Sequence, residues 1–210
     1  DDEDDFDEVD HVTAAVLRDR LSLEVDLHHH GEYLRMLNNI ESPVQIIRDS
    51  FSLMPNETPE QLDEIRSRLS KVPAALAGYR ESLTEAAAQG QVGALRQVDA
   101  VISQCEQLAD TDSMLDGLGV DPDAPDLEAA RNAFSLMADW LSTELAPQAP
   151  HDDAVGRERY EMFSHYFVGD SVDLDEAYEW GLHRLREIVA EQEAVAHELY
   201  GDECYGRGDY

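Results

Sequence analysis

The stretch DLEAARNAFSLMADWLSTEL, residues 126–145, decides the fold class of this chain. Its apolar side chains recur every three or four positions, which places them on one face of an α-helix. This face comprises Leu127, Ala130, Phe134, Met137, Leu141 and Leu145. Asp126 is suited to cap the start of the helix, and Pro147 and Pro150 are suited to end it. The sequence therefore predicts a long amphipathic helix that packs against other elements.

The same helical period continues through nearly the whole chain, and alternation with a period of two never persists beyond a few residues. Serine or threonine followed by proline marks two further helix starts, at Ser42 and Thr58. Helices are predicted near 9–30, 43–54, 59–70, 73–90, 93–110, 126–146, 152–167 and 173–200. We therefore predict an all-α, bundle-like fold of about seven to nine helices with no significant sheet.

The first and last helices carry long apolar faces. In the first helix, the residues expected to point inward are Val9, Val12, Val16 and Leu23. The last helix has the most regular pattern, with Leu174, Tyr178, Leu185, Ile188, Val195 and Leu199. Asp173 is expected to cap this last helix and Gly201 to end it. Tyr160, Tyr166, Tyr178 and Trp180 are expected to be core and rim aromatics.

Composition suggests three segments along the chain. Residues 1–8 form an acidic N-terminal segment, 9–201 a helical domain and 202–210 a C-terminal tail. Residues 111–126 hold glycines, prolines and several aspartates, as expected for a linker between subdomains or for one surface loop. The similar helical patterns on both sides favour the loop. No repeat of fixed period is present, so a solenoid is not predicted.

The charge balance excludes several classes of function. The 210 residues include 15 basic and 47 acidic side chains, for a net charge of −32. Nucleic-acid binding requires a basic footprint, and anionic membranes also repel such a chain. No stretch reaches the ~20 apolar residues of a membrane helix, and no secretory signal pattern opens the chain. These features favour a cytoplasmic protein, and Cys105 is expected to be a small core residue.

Histidines and acids form several arrangements that resemble metal ligands. His28, His29 and His30 are consecutive, so their side chains point about 100° apart on a helix and cannot converge on one ion. Four His–Glu pairs have helical spacing: Glu161/His165, Glu179/His183, His183/Glu187 and Glu193/His197. In so acidic a chain these pairs are more typical of surface ion pairs. The HExxH pattern and the glycine-rich phosphate loops are absent, so no metal ligand or catalytic residue is predicted.

Two arginines stand near a predicted helix start, in the segment Gly156 to Tyr160. Their guanidinium groups have the donor geometry to clamp a carboxylate of a ligand. The alternative is that they pair with the many acids of the chain itself. Arg157 and Tyr160 are therefore the candidate substrate-binding residues.

Three stretches together resemble a known family. They are LNNIESPVQIIRDSFSLMPNETPEQLDEIRSRLSKVPAALAGYRESL (37–83), GQVGALRQVDAVISQC (90–105) and VGRERYEMFSHYFVGDSVDLDEAYEWGLHRL (155–185). Their order and spacing are similar to those of the bacterial family catalogued as domain of unknown function 885. The resemblance implies a relationship to helical zinc peptidases of the carboxypeptidase and oligopeptidase type, whose zinc-binding His–Glu motifs are expected in a C-terminal half. We expect that half to be absent here, so zinc enters only through the resemblance. The implied role is the helical wall of a peptide-binding channel, with Arg157 and Tyr160 facing it.

An alternative is a stand-alone relative that binds a partner protein and has lost catalysis. The tail GDECYGRGDY, residues 201–210, does not resemble the family. Cys204, Tyr205 and Tyr210 follow the last predicted helix, where a partner enzyme could bind or modify them. The helical body would then act as a leader. A metal-binding helical bundle is a third, weaker interpretation.

Overall fold

The structure is a computed structural model that describes residues 6–201. Within this range it contains eight α-helices and no β-strand, which confirms the predicted all-α fold. The helices are α1 (Glu8–His29), α2 (Pro43–Ser52), α3 (Pro59–Leu69), α4 (Val72–Ala88), α5 (Leu95–Ala109), α6 (Pro125–Trp140), α7 (Arg157–Val168) and α8 (Leu174–Tyr200). A π-helical segment, Leu141–Leu145, continues α6.

The chain divides into two compact units, Asp1–Ala154 and Val155–Tyr210. The first unit contains α1 to α6, and the second contains α7 and α8. The loop 111–126 lies inside the first unit, where Leu115, Leu118 and Val120 are buried in the core. A 3-10 turn, Asp116–Leu118, shapes the middle of this loop.

Helix α6 is the centre of the first unit, because α3, α4 and α5 all pack against it. Its predicted apolar face is buried as expected, and Leu127, Phe134 and Leu141 have no exposed surface. The rest of this core includes Phe51, Ile65, Leu69, Leu76, Tyr79, Leu83, Val98, Val101 and Leu108. The apolar face read from residues 126–145 is therefore the main packing surface of the first unit.

The predicted helix starts are confirmed at α2, α3 and α8. At α3 the Gln61 amide N–H donates to Thr58 Oγ1 at 3.3 Å, and the Thr58 N–H donates to Gln61 Oε1 at 3.1 Å. At α8 the Asp173 carboxylate accepts the amide protons of Asp175 and Glu176. Side chains thus satisfy amides that a helix start leaves without partners.

Two predicted starts were wrong by a few residues. Helix α6 begins at Pro125, so Asp126 lies in its first turn and accepts a hydrogen bond from Arg66 Nε at 2.8 Å. Proline has the backbone angle of a first helical residue, which explains the earlier start. Helix α7 begins at Arg157, because Gly156 has φ 83°, a left-handed backbone angle outside a helix.

The expected inward face of α1 was wrong over most of its length. The exposed fractions of Val9, Val12 and Val16 are 70%, 60% and 57%, whereas Leu23 and Leu27 are each 4% exposed. All five side chains lie on one side of the helix. Only the C-terminal end of that side is covered by other residues of the described chain.

Cys105 is fully buried in the core of the first unit, as predicted. Burial raises the pKa of its thiol to about 12, because the thiolate would lose its hydration. Among the helices of residues 6–201, none combines the length and apolar character that crossing a bilayer requires.

Replacing Phe134 by alanine is expected to lower the free energy of unfolding by about 3–5 kcal/mol, because a fully buried ring would leave a cavity. Urea unfolding followed by circular dichroism measures this change. Leu136→Ala is the matched control, since Leu136 lies on the same helix and is 55% exposed. Its effect should stay below about 1 kcal/mol. Equal losses for both variants would contradict the assigned core face.

Candidate functional site

Arg157, the first residue of α7, joins the two helices of the second unit. Its Nε donates to Glu161 Oε1 at 2.8 Å, one turn along α7. Its two terminal nitrogens donate to the two carboxylate oxygens of Asp175 at 3.0 and 3.1 Å. Asp175 lies in the first turn of α8. The clamp on a carboxylate that the sequence suggested is therefore made with acids of the chain itself.

This pairing changes the titration of both partners. The hydrogen bonds and charge of the Arg157 guanidinium hold the pKa of Asp175 below its ordinary value. The same contacts raise the pKa of Arg157. Each of the two terminal guanidinium nitrogens keeps a second N–H beyond the bond to Asp175. Arg157 can therefore hold Asp175 and still donate to a ligand.

Aromatic side chains follow Arg157 along α7. Tyr160 is 58% exposed and lies three residues further on, near Arg157 on the helix surface. The guanidinium of Arg159 lies 5.5 Å from the centre of the Phe163 ring. Phe163, Tyr166 and Phe167 contact one another, with ring centres between 5.3 and 6.5 Å apart. This cluster was not predicted from the sequence.

Helix α8 carries a broad apolar surface that the described chain leaves uncovered. The predicted face is present, but Tyr178, Leu185, Ile188, Val195 and Leu199 are exposed. We call these five residues the α8 stripe. Trp180 lies on another side of the helix and is also exposed, so Tyr178 and Trp180 are not core aromatics in this structure. Neither α7 nor α8 contains a residue classed as buried.

The histidines do not form a metal site in the described part of the chain. His183 Nε2 lies 3.3 Å from Glu187 Oε1, and Arg184 donates to the other oxygen of Glu187 at 2.9 Å. In the first unit, Glu24 and Glu32 each lie four positions from His28 in the sequence. Glu24 accepts a hydrogen bond from Tyr33, and Glu32 pairs with Arg35. Over residues 6–201, no group of three or more His, Cys, Asp or Glu side chains could hold a metal ion.

The tail residues Cys204, Tyr205 and Tyr210 lie outside the described residues, so their proposed modification stays a prediction. Asp175, by contrast, was missed by the sequence analysis. Its helix-start position was visible, but its partner lies 18 residues earlier in the chain. No local pattern indicates a pairing over that distance.

A match to one protein family extends over almost the entire chain. The family model described as "Bacterial protein of unknown function (DUF885)" matches residues 1–209. The match includes all but the last residue of the tail 201–210, so the expectation that this tail departs from the family was wrong. No curated protein matches this chain.

Replacing Arg157 by glutamine is expected to raise the pKa of Asp175 toward the ordinary value of about 3.9, because the carboxylate loses its bidentate partner. In the native chain the pair persists above that value and is lost as the pH falls through the lowered pKa. Carbon-13 NMR of the carboxyl groups during an acid titration measures this shift.

Arg184→Gln is the matched control for this titration, since it removes the guanidinium that lowers the pKa of Glu187. It should raise the pKa of Glu187 and leave that of Asp175 unchanged. An unchanged pKa of Asp175 in Arg157→Gln would contradict the clamp.

Proposed function

The chain belongs to the DUF885 family of bacterial proteins, and from this we propose that it is the non-catalytic helical part of a zinc-dependent peptidase. In this proposal it contributes the wall of a peptide-binding channel. The zinc-binding residues would belong to other helices, because the described residues hold no group able to bind a metal ion. The relationship to zinc peptidases rests on the sequence resemblance described above.

The observation that carries the proposal is the uncovered α8 stripe. On a helix with about 100° between successive residues, the stripe covers an arc of about 100°. Leu182 widens this arc, and Leu174 lengthens the stripe by one turn towards the start of the helix. The opposite side carries acids such as Glu176, Glu187 and Glu198. A soluble helix with this amphipathic pattern normally buries its apolar face against other elements. We infer that α8 packs against further helical structure in the working protein.

Arg157 and Tyr160 are the proposed substrate contacts of this wall. Both are exposed, and both lie near the start of α7. The free N–H groups of Arg157 suit a peptide carbonyl or a terminal carboxylate. The Tyr160 side chain offers a ring for packing and a hydroxyl for hydrogen bonding. Asp175 would fix the direction of the guanidinium before the peptide binds.

In this proposal the zinc-binding residues lie on other helices, so the purified chain alone is expected to show no peptidase activity. Release of fluorescence from labelled casein, measured with added zinc and again with a chelator, tests this expectation. Thermolysin under the same conditions serves as the positive control. Hydrolysis that requires zinc and stops with the chelator would contradict the non-catalytic assignment.

The α8 stripe is expected to bind the uncharged dye Nile red, whose emission rises at exposed apolar surfaces. Replacing Leu185 and Val195 together by glutamine should reduce this emission, because both side chains are 55% exposed on the stripe. Ala190→Gln, on the polar side of the same helix, is the matched control and should leave the emission unchanged.

Urea unfolding of the same variants tests whether the stripe is covered by this chain itself or by an element outside it. If it awaits a covering element outside this chain, the double glutamine variant should unfold at the native urea concentration. A clear drop in that concentration would show that this chain already buries the stripe, and would count against the proposal.

A further inference from the structure

Residues 66–80 form a positively charged segment within this acidic chain. They contain four of the 15 basic side chains and no acidic one, although the chain has 47 acids. The segment covers the last turn of α3, the connection to α4 and the first half of α4. The four basic residues are Arg66, Arg68, Lys71 and Arg80.

Three of these four cations form no ion pair with any residue in the range 6–201. Arg66 pairs with Asp126 at 2.8 Å, but Arg68, Lys71 and Arg80 have no such acid. Elsewhere in the first unit, arginines do find acidic partners, as Arg96 does with Asp153 at 2.8 Å. Unpaired cations are unexpected where acids outnumber bases threefold.

Arg80 stands at a groove between α4 and α6. The groove has a volume of about 310 Å³. Its apolar lining includes Pro73 and Ala77 of α4 and Ala129 and Leu136 of α6. The two alanines have small side chains, which leave the space between the helices open. Arg80 is the charged residue of the lining, and Asn132 adds a polar group. Lys71 precedes α4 by one residue, two positions before Pro73.

We propose that the α4–α6 groove binds an acidic, apolar peptide segment of a partner protein. One or two apolar side chains of the segment would fill the groove, whose volume lies at the lower end of the range of about 300–1,000 Å³ for ligand pockets. Carboxylates of the same segment would pair with Arg80 and Lys71. This site belongs to the first unit and is independent of the proposed peptidase role of Arg157 and Tyr160.

Charge complementarity selects this occupant over a basic peptide. The net charge of −32 attracts cations at long range, but the Debye length at physiological salt is only about 8 Å. At contact, a ligand in the groove meets the guanidinium of Arg80 and no acidic lining residue. A lysine-containing peptide would therefore be repelled at the groove itself, whereas a carboxylate gains a partner.

Isothermal titration of the full chain with a blocked hexapeptide of alternating Asp and Leu residues tests the proposal. The peptide should bind about fivefold more tightly than its counterpart with Asn in place of Asp, as for an exposed charge pair. Arg80→Gln should reduce this difference, because only Lys71 is then left to pair with a carboxylate. Arg186→Gln is the matched control, because Arg186 on α8 is another exposed arginine without an ion pair among the described residues.

Two further variants test the apolar part of the site. Ala129→Leu and Ala77→Leu each fill the groove from one of its two helices, and both positions are exposed, so the fold should tolerate the change. Each should weaken binding of the Asp-Leu peptide at least about tenfold, by steric exclusion from an occupied groove. Circular dichroism of each variant verifies that it is folded.

Several outcomes would overturn the proposal. Equal binding of the Asn counterpart, stronger binding of a Lys-Leu peptide, or an equal loss in Arg186→Gln would each remove the charge argument. Sedimentation that shows self-association, abolished by Ala129→Leu, would assign the groove to a second copy of this chain. Unchanged binding in both leucine variants would place the peptide elsewhere.

Discussion

Burial of the α6 face is the interaction on which the rest of the first unit depends. Phe134 and its apolar neighbours on α6 meet side chains from α3, α4 and α5 at once. The hydrophobic gain from this face therefore fixes three other helices in place. The loop before α6 is held by the same core, because Leu115 and Leu118 are buried in it. The α4–α6 groove exists because small residues on these two helices leave space beside that contact.

The scarce arginines organise the surface of an acidic protein. Arg131 pairs with Asp116 in the loop before α6. Arg96 pairs with Asp153 near the end of the first unit. Arg157 pairs with Asp175 at the start of α8. The two pairs with mostly exposed side chains, Arg96–Asp153 and Arg157–Asp175, stabilise the protein little. Arg80 differs because its guanidinium has no acidic partner among residues 6–201 and it lines the α4–α6 groove.

The two units differ in how completely they bury apolar side chains. The first unit has a continuous core, whereas α7 and α8 contain no residue classed as buried. The N-terminal part of α1 shares this exposure, although its C-terminal leucines are covered. Amphipathic helices whose apolar side meets water are typical of surfaces that bind other protein. This difference in burial is the physical basis of our proposal that α8 packs against further helical structure.

The helices can be predicted from the sequence, because the period of the apolar residues and the capping of helix ends depend on residues within one or two turns of each other. The all-α class, the α6 face and the caps at Thr58 and Asp173 were predicted in this way, and the family was recognised from the order of three stretches. Which residues cover an apolar face is not decided locally. Val9 was expected to point inward and is exposed, and Leu185 on the regular apolar face of α8 is exposed as well. The partner of Arg157 and the groove beside Arg80 also join residues distant in the chain. Only tertiary packing decides such contacts, because the free energy of a contact depends on which surfaces meet and not on the pattern within either one.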